Sequence, residues 1–311
     1  MRCEGLTTLL LSVKIQPQIS ESRKNNIEDF AVYGWNTGDS RWSSAASLGS
    51  NTFTNTKAIK SSDSYVTVGE KKYWEDGYYH FAAYGPHMAT SPATFEGVGG
   101  NFKMKFTDYV TLASTVDLIY SEFATDKIKS GGIVPLRFHH ALSKILFTFT
   151  VSDDPQKTGT GINEIEIVPV SISLGNFLTK GSFSFDGTTA GWTGVSKKGS
   201  ITNTSVVKSE GGYDAYVIPQ TLAEDASFKI TYKVVYHAKD AEGADTEVAA
   251  GPFTSSDIPF HYTGDEGKWT NLEMAKQYTA KVNVNAFNGQ IEIAALEAGD
   301  WGTASGTIET K

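Results

Sequence analysis

The segment Ile133–Val151 carries alternating apolar residues whose phase changes halfway along. Before Ala141 the bulky side chains occupy even positions, at Leu136 and Phe138. After it they occupy odd positions, at Ile145, Phe147, Phe149 and Val151. Because strand side chains alternate between two faces, a phase change needs an extra residue, and we predict a bulge or tight turn within residues 140–144. One strand serving two surfaces is typical of β-sandwiches.

Other segments repeat the period of two, and no helical period persists over three turns. Two hairpins are predicted, one turning at Glu75-Asp76-Gly77 and one at Asn288-Gly289. A glycine-rich stretch between about residues 175 and 195 predicts a domain boundary, giving domains 1–185 and 186–311. We therefore predict an all-β chain of two tandem sandwich domains.

Composition excludes several classes of function. The net charge is −8 and the basic residues are dispersed, which argues against nucleic acid as a partner. No phosphate-binding loop, nucleophile elbow or His-Glu-x-x-His motif is present, so no cofactor and no enzymatic activity are predicted. His139 and His140 should point to opposite faces of a strand, one packed and one solvated, so no metal site is predicted. The acidic turns at 153–154, 240–245 and 265–266 leave calcium binding and simple solvation open.

The N-terminal segment alternates clearly and precedes an isolated basic residue. Its apolar side chains share one face of a predicted strand and are Leu9, Leu11, Val13, Ile15 and Ile19. Arg23 follows in a polar turn and is one of four arginines. A strand followed by an accessible basic site predicts a separable element. Cys3, the only cysteine, is either a lipidation site or an incidental thiol, because Met1 and Arg2 do not form a small-residue lipobox.

Several aromatic residues leave two interpretations open. Trp35, Trp42, Trp74, Tyr78 and Tyr79 can form a platform on which a sugar ring stacks. They can equally pack in a core or between domains.

Five segments, taken in order, resemble the Mfa-like, FimA-type fimbrillins, which are subunits of the type V pili of Gram-negative anaerobes. They span residues 30–301 and are F-A-V-Y-G-W-N, Y-W-E-D-G-Y-Y-H-F-A-A-Y-G-P, L-R-F-H-H-A-L-S-K-I-L-F-T-F-T-V, Y-V-I-P-Q-T-L and Q-Y-T-A-K-V-N-V with Trp301.

The resemblance implies two transthyretin-like sandwich domains, export as a lipoprotein to the outer membrane, and assembly by strand exchange. In that scheme an arginine-specific protease removes the first strand, about residues 1–23, and a strand of the next subunit replaces it. Arg23 fits the cleavage site, with Arg41 as second choice, and the five apolar residues of the first strand would form the plug. This sequence departs from the pattern in lacking a proper lipobox and in having only about twenty residues before Arg23.

Three hypotheses follow. The first is a non-enzymatic fimbrial subunit at the cell surface, whose partners are copies of itself, other fimbrial subunits and the protease. The second is a glycan-binding adhesin, or a pilus tip or anchor subunit, with host glycans or proteins as partners and stacking by Trp35, Trp74, Tyr78 and Tyr79. The third is a surface-anchored enzyme accessory or hydrolase.

Overall fold

The computed structural model of the chain describes residues 8–9, 12–17, 27–61, 64–69, 72–111, 116–129, 133–151, 162–203, 208–209, 212–260, 269–285, 289–300 and 304–309. At residues 8–9, 12–17, 208–209 and 304–309 it describes the backbone only. These ranges contain 25 strands and two 3-10 turns, Trp42–Ser44 and Gly99–Asn101, which confirms the predicted all-β class. Neither helical turn in this part of the chain is long enough to cross a membrane.

The strands in chain order are β1 Thr8–Leu9, β2 Ser12–Pro17, β3 Asp29–Asn36, β4 Ser50–Ser61, β5 Ser64–Thr67, β6 Lys72–Tyr73, β7 Tyr79–Gly85, β8 Ala93–Glu96, β9 Lys103–Val110, β10 Ile119–Ser121, β11 Ala124–Lys127, β12 Ile133–His140, β13 Ser143–Val151, β14 Ile162–Phe185, β15 Ala190–Asn203, β16 Lys208–Ser209, β17 Gly212–Val217, β18 Gln220–Thr221, β19 Ser227–Lys239, β20 Asp245–Thr254, β21 Ile258–Pro259, β22 Asn271–Leu272, β23 Lys276–Val284, β24 Ile291–Asp300 and β25 Ala304–Glu309.

Three sheets hold most of these strands. The first sheet has the order β2-β25-β12-β10-β7-β3-β4-β5, with β11 beside β7. The second has the order β20-β19-β14-β9-β8, with β15 beside β14 and β21 beside β19. The third has the order β16-β17-β13-β23-β24. Two short pairs, β1–β6 and β18–β22, complete the described structure.

The first sheet is buried on both faces, because successive residues of its central strand β3 enter different cores. Phe30 and Val32 enter a first core that also contains Phe53, Ala58, Tyr65, Trp74, Tyr79, Phe81, Ala83, Ile119, Ala124, Val134, Leu136 and Phe138. Ala31 and Tyr33 enter a second core, which includes Phe102 from the connection before β9, Met104 and Phe106 from β9, and Phe183 and Phe185 from β14. A third core is built from residues 145–293, between the second and third sheets.

The predicted phase change between residues 140 and 144 is confirmed. β12 ends at His140 in the first sheet, and β13 begins at Ser143 in the third sheet. Leu136 and Phe138 lie in the first core, whereas Ile145 lies in the third. The two residues between the strands therefore transfer the chain from one sheet to another, with the change of phase that the sequence indicated.

β14 is unusually long and pairs with different strands along its length. Residues 162–175 pair with β19, and residues 180–185 pair with β9. The register with β15 shifts between Leu174 and Phe177, where Asn176 has a φ of 64°. The predicted domain boundary at residues 175–195 falls on this strand and on β15, and it remains a prediction, as do the transthyretin-like domains.

One predicted hairpin is confirmed and the other is wrong. β23 pairs antiparallel with β24, and the turn between them includes Gly289 with a φ of 72°. β6, however, pairs with β1, and β7 pairs with β3, β10 and β11. The turn after β6 docks on the end of β3 instead, where the Asn36 amide donates to the Asp76 carbonyl (3.1 Å) and the Tyr78 N–H to the Gly38 carbonyl (2.8 Å). Alternation identified these strands but not their partners.

Candidate functional site: the terminal-strand seam

Strands from the two terminal regions of the sequence lie side by side at one edge of the first sheet. β25 is antiparallel to β12, with Ile133 opposite Glu309 and Phe138 opposite Ala304. On its other side β25 is antiparallel to β2, with Ser12 opposite Glu309 and Pro17 opposite Ala304. All six residues of β25 are thus paired on both sides.

The other border of this edge is β5. Cα atoms of β2 come within 8 Å of those of β5, at the opposite end of the strand order, so the first sheet curves until its two ends approach. We call the arrangement β12-β25-β2 next to β5 the terminal-strand seam. A curved sheet whose ends meet leaves fewer unpaired edges than an open sheet.

The first core lies beneath both borders of the seam. Val134, Leu136 and Phe138 of β12 are at most 1% exposed. The Phe30 ring lies 5.1 Å from Phe138 and also 5.1 Å from Tyr65 of β5, measured between ring centroids. The Tyr65 hydroxyl donates to the Ile27 carbonyl, and burial together with the nearby Glu28 charge raises the pKa of Tyr65. One continuous aromatic cluster therefore connects β12 to β5 below the terminal strands.

The predicted plug residues fall partly on this seam. Leu9 lies on β1, whereas Val13 and Ile15 lie on β2, so the single strand predicted is two short strands with different partners. Leu11, Ile19, Arg23 and Cys3 lie outside the described residues.

The contribution of β25 was not predicted from the sequence. Its sequence, A-S-G-T-I-E, contains one large apolar residue, Ile308, so its alternation carries no usable signal. The plug was also expected to fill a groove between sheets, and that remains a prediction. The structure shows that β2 pairs along its backbone with all six residues of β25.

Three of the four predicted sugar-stacking residues are buried. Trp35, Trp74 and Tyr79 are 4%, 3% and 1% exposed, respectively. Trp74 packs edge-to-face on Tyr79 at 4.7 Å, in the first core. Tyr78 is half-buried, and the Arg41 guanidinium lies 5.2 Å from its ring centroid. Of the two interpretations that the sequence left open, the structure therefore favours packing for Trp35, Trp74 and Tyr79, because neighbouring side chains occupy their faces.

Trp42, the fifth aromatic residue considered, is also engaged in packing. Its ring lies 4.4 Å from the His80 ring and 4.9 Å from Phe102. The backbone N–H of Trp42 donates to Asp126 Oδ1 at 2.7 Å, and this hydrogen bond holds the exposed loop after β3 against the protein. Trp42 therefore anchors a loop and is not a separate stacking surface.

The adjacent histidines occupy opposite faces, as predicted. His140 is 3% exposed, and its Nδ1 lies 2.5 Å from Asp117 Oδ2. His139 is half-buried, and its Nε2 lies 2.9 Å from Glu122 Oε1. Within the ranges that the structure describes, no three His, Cys, Asp or Glu side chains are grouped to hold a metal ion.

One acidic turn is visible, and its carboxylate serves the turn itself. Asp240 Oδ1 accepts hydrogen bonds from the N–H groups of Glu242 (3.1 Å) and Ala244 (2.8 Å) in the loop between β19 and β20. This is the way an aspartate stabilises a tight turn. Residues 153–154 and 265–266 lie outside the described residues.

The crossing from β12 to β13 is fixed by polar contacts from three elements. Trp192 Nε1 of β15 donates to the Ala141 carbonyl at 2.6 Å, and Ser143 Oγ donates to the Glu273 carbonyl at 2.7 Å. Lys144 Nζ lies 2.8 Å from Asp214 Oδ2, and these side chains are 11% and 15% exposed. Buried polar groups are tolerated when they are paired, so the crossing is held in one geometry.

Comparisons with known proteins agree with this architecture. The chain matches the model of the fimbrillin-like family over residues 20–301. No curated protein sequence matches it. A solved structure from Bacteroides uniformis, provisionally assigned to cell adhesion, shares the fold with a TM-score of 0.52, 16% identity, and coverage of 97% of this chain and 100% of that one. A fimbrial protein from Bacteroides vulgatus has 17% identity, a TM-score of 0.47, and coverage of 88% and 93%. Because the family match spans nearly all described strands, the chain belongs to the fimbrillin-like family.

Proposed function

We propose that this protein is a non-enzymatic structural subunit of a fimbrium at the cell surface, and that its copies join by exchange of a β-strand. The observation that carries the proposal is the position of β25, which lies between β12 and β2 although the preceding strand, β24, belongs to the third sheet. A strand from outside the first sheet's own sequence region therefore completes that sheet. The equivalent strand of a neighbouring subunit can make the same pairing with β12 once the subunit's own β25 has left it.

A protease cut at Arg23 is the proposed trigger. It would release β1 and β2, so that β25 loses one partner and β5 loses its neighbour above the first core. An unpaired edge over an apolar core favours the addition of another strand. Each apolar side chain buried by the incoming strand stabilises the joint by about 1.5–3 kcal/mol. The precursor, exported as a lipoprotein anchored to the outer membrane through Cys3, would carry its own strands until assembly.

Arg23 is preferred over Arg41 because of where a cut would separate the chain. Arg41 is exposed in the loop between β3 and β4. A cut there would detach β3, whose residues Phe30, Ala31 and Val32 are fully buried at the centre of the first sheet. A cut at Arg23 leaves β3 in the chain and separates only β1 and β2.

The experiment is limited digestion of the purified protein with an arginine-specific protease, followed by intact mass, a non-boiled denaturing gel and negative-stain microscopy. We expect cleavage after Arg23 and then a ladder of oligomers or filaments. The matched variants are Arg23→Ala, expected to stay uncut and monomeric, and Arg41→Ala, expected to behave as the parent. A chain that is cut at Arg23 but remains a folded monomer would contradict the strand-exchange proposal.

The alternative function, a glycan-binding adhesin or a tip or anchor subunit, gains no support from the aromatic residues first considered. Trp35, Trp74 and Tyr79 are buried. Glycan binding by those residues is therefore not proposed.

A further inference from the structure

A cleft of about 530 Å³ opens beside the crossing from β12 to β13, away from the terminal-strand seam. Its walls come from β14, β15, the segment around β18, and β22 with the turn that follows it. The lining residues are mainly apolar and include Leu178, Trp192, Val195, Thr221, Asn271 and Met274. Its volume lies within the usual range for small-ligand sites.

Trp192 supplies an aromatic surface to this cleft, and its position is closely defined. A Cβ at Gly181 would lie 3.1 Å from Trp192 Cε3, so the glycine on the neighbouring strand allows the indole to pack directly on the backbone. Nε1 donates to the Ala141 carbonyl, which fixes the orientation of the ring. Among the described residues, Tyr109 and Phe183 contact the ring at 60° and 57°, and none stacks parallel to it. The half-buried indole thus keeps a free surface on the cleft side.

The rim of the cleft offers one donor group and one acceptor group. Asn271 Oδ1 accepts a hydrogen bond from Thr221 Oγ1 at 3.4 Å, and its NH2 has no partner among the described residues. Glu273 is exposed, and its carboxylate has no hydrogen bond or ion pair within the described part of the chain, although its charge helps to raise the pKa of nearby Lys276, which pairs with Asp300. The Gln220 amide, by contrast, is bonded to backbone atoms of Leu178 and Ile218, so it shapes the wall instead of binding a ligand.

We infer that this cleft binds a neutral pyranose ring, with the apolar C–H face of the sugar on Trp192 and sugar hydroxyls bonded to Asn271 and Glu273. An aromatic surface beside unpartnered polar groups matches the two faces of a pyranose, one apolar and one hydroxylated. No Lys or Arg is among the described lining residues, and Glu273 gives the rim a negative charge. The cleft therefore discriminates against uronic and sialic acids. This inference does not depend on strand exchange.

The experiment is saturation-transfer NMR and tryptophan-fluorescence titration on the full chain. The probes are methyl β-galactopyranoside and methyl β-glucopyranoside, tested against glucuronic acid and N-acetylneuraminic acid. We expect saturable binding of at least one neutral glycoside, with its ring C–H protons receiving the saturation, and at least tenfold weaker binding of both acids. Absence of binding by both neutral glycosides, or stronger binding of an acid, overturns the inference.

Variants connect the binding to the cleft. Trp192→Ala should weaken binding at least about tenfold, and Asn271→Ala and Glu273→Gln about three- to tenfold each. Gly181→Ala leaves the polar rim intact but displaces the indole, so it should weaken binding while both rim residues remain. Trp42→Phe is the matched control, a half-buried tryptophan outside the cleft, and should bind as the parent does. Because Asn271 and Glu273 are exposed, unchanged binding in both rim variants would overturn the inference even if Trp192→Ala failed to fold.

Discussion

The first sheet and the sandwich around the third core differ in where their strands come from. The first sheet combines residues 29–140 with β2 and β25, which lie far apart in the sequence and share one edge. The third core is built from residues 145–293, a continuous part of the chain. A core built from a continuous part of the chain keeps its residues when a terminal strand leaves. A sheet completed by strands from distant segments can lose one and regain it from another copy.

The largest expected effect comes from fixing β25 in place. Arg137 lies opposite Ser305 across the β12–β25 pair. In an Arg137→Cys/Ser305→Cys variant, with Cys3→Ser to leave only the engineered pair, oxidation should abolish oligomer ladders after protease treatment, and reduction should restore them. If β25 is the exchanged strand, it cannot leave while the disulfide is intact.

The matched control places the same crosslink in the sandwich. Thr279 lies opposite Glu297 across β23 and β24. Oxidised Thr279→Cys/Glu297→Cys protein, also carrying Cys3→Ser, should assemble as the parent does. Normal assembly of the oxidised β12–β25 variant would show that β25 stays in place during assembly. The difference in strand origin between the two regions would then have no role in joining subunits.

Core truncation tests whether the two regions unfold separately. Phe138 in the first core and Phe228 in the third are 1% and 0% exposed. Phe138→Ala and Phe228→Ala should each reduce the free energy of unfolding by about 3–5 kcal/mol. In calorimetry of protease-cut protein, Phe138→Ala should lower only the transition of the first region, and Phe228→Ala only the other. A single transition lowered equally by both would mean that the regions unfold as one unit.

The ion pair at the crossing should matter more than an exposed pair. Lys144→Met removes the cation that pairs with the Asp214 carboxylate, which is 15% exposed. The free energy of unfolding, measured by urea denaturation, should fall by about 3 kcal/mol. Lys180→Met is the control, since that ammonium lies 3.0 Å from Asp108 with the two side chains 35% and 68% exposed. Lys180→Met should lower the free energy of unfolding by less than about 1 kcal/mol. Equal effects would mean that the crossing is not a specially stabilised point.

The smallest of these effects is a pH dependence of folding stability that comes from His80, on β7 of the first sheet. Its Nε2 donates to Thr37 Oγ1 (2.8 Å) and its Nδ1 accepts from the Asp126 N–H (3.1 Å), so the ring is neutral. Burial lowers the pKa of His80 to about 4, from the usual histidine value of about 6.5. The unfolded chain therefore binds the proton first, and stability is full above pH 6.5 and falls as the pH drops towards 4.

Between pH 7 and pH 4.5 the free energy of unfolding should fall by about 2 kcal/mol because of His80. This is less than the whole pKa shift would give, because solvent screens part of the charge. Urea denaturation at pH 7 and pH 4.5 measures it. His80→Gln, which keeps a polar side chain without a titratable group, should flatten the pH dependence between those values. An unchanged dependence in that variant would assign the effect to other groups.

Part of this architecture was predictable because it depends on local pattern. The phase change between Phe138 and Ile145 located the break between β12 and β13, since burial against two cores requires two alternation phases. One bulged or tightly turned strand was predicted there, whereas the structure has two strands in different sheets. Asn288-Gly289 identified the β23–β24 hairpin, since the turn of a β-hairpin is specified by adjacent residues. The β6–β7 hairpin was wrongly predicted, because alternation reports burial and does not report which strand lies alongside.

The sequence by itself determined the all-β class, the change of alternation phase after His140, and the family, because periodic burial and ordered motifs depend on neighbouring residues. Only the tertiary structure decided that β25 lies between β12 and β2, that Trp35, Trp74 and Tyr79 are buried, and that Trp192 borders a cleft. Backbone pairing is carried by N–H and C=O groups that every residue but proline has, so a strand such as β25, with one large apolar side chain, can be placed only by its neighbours in space.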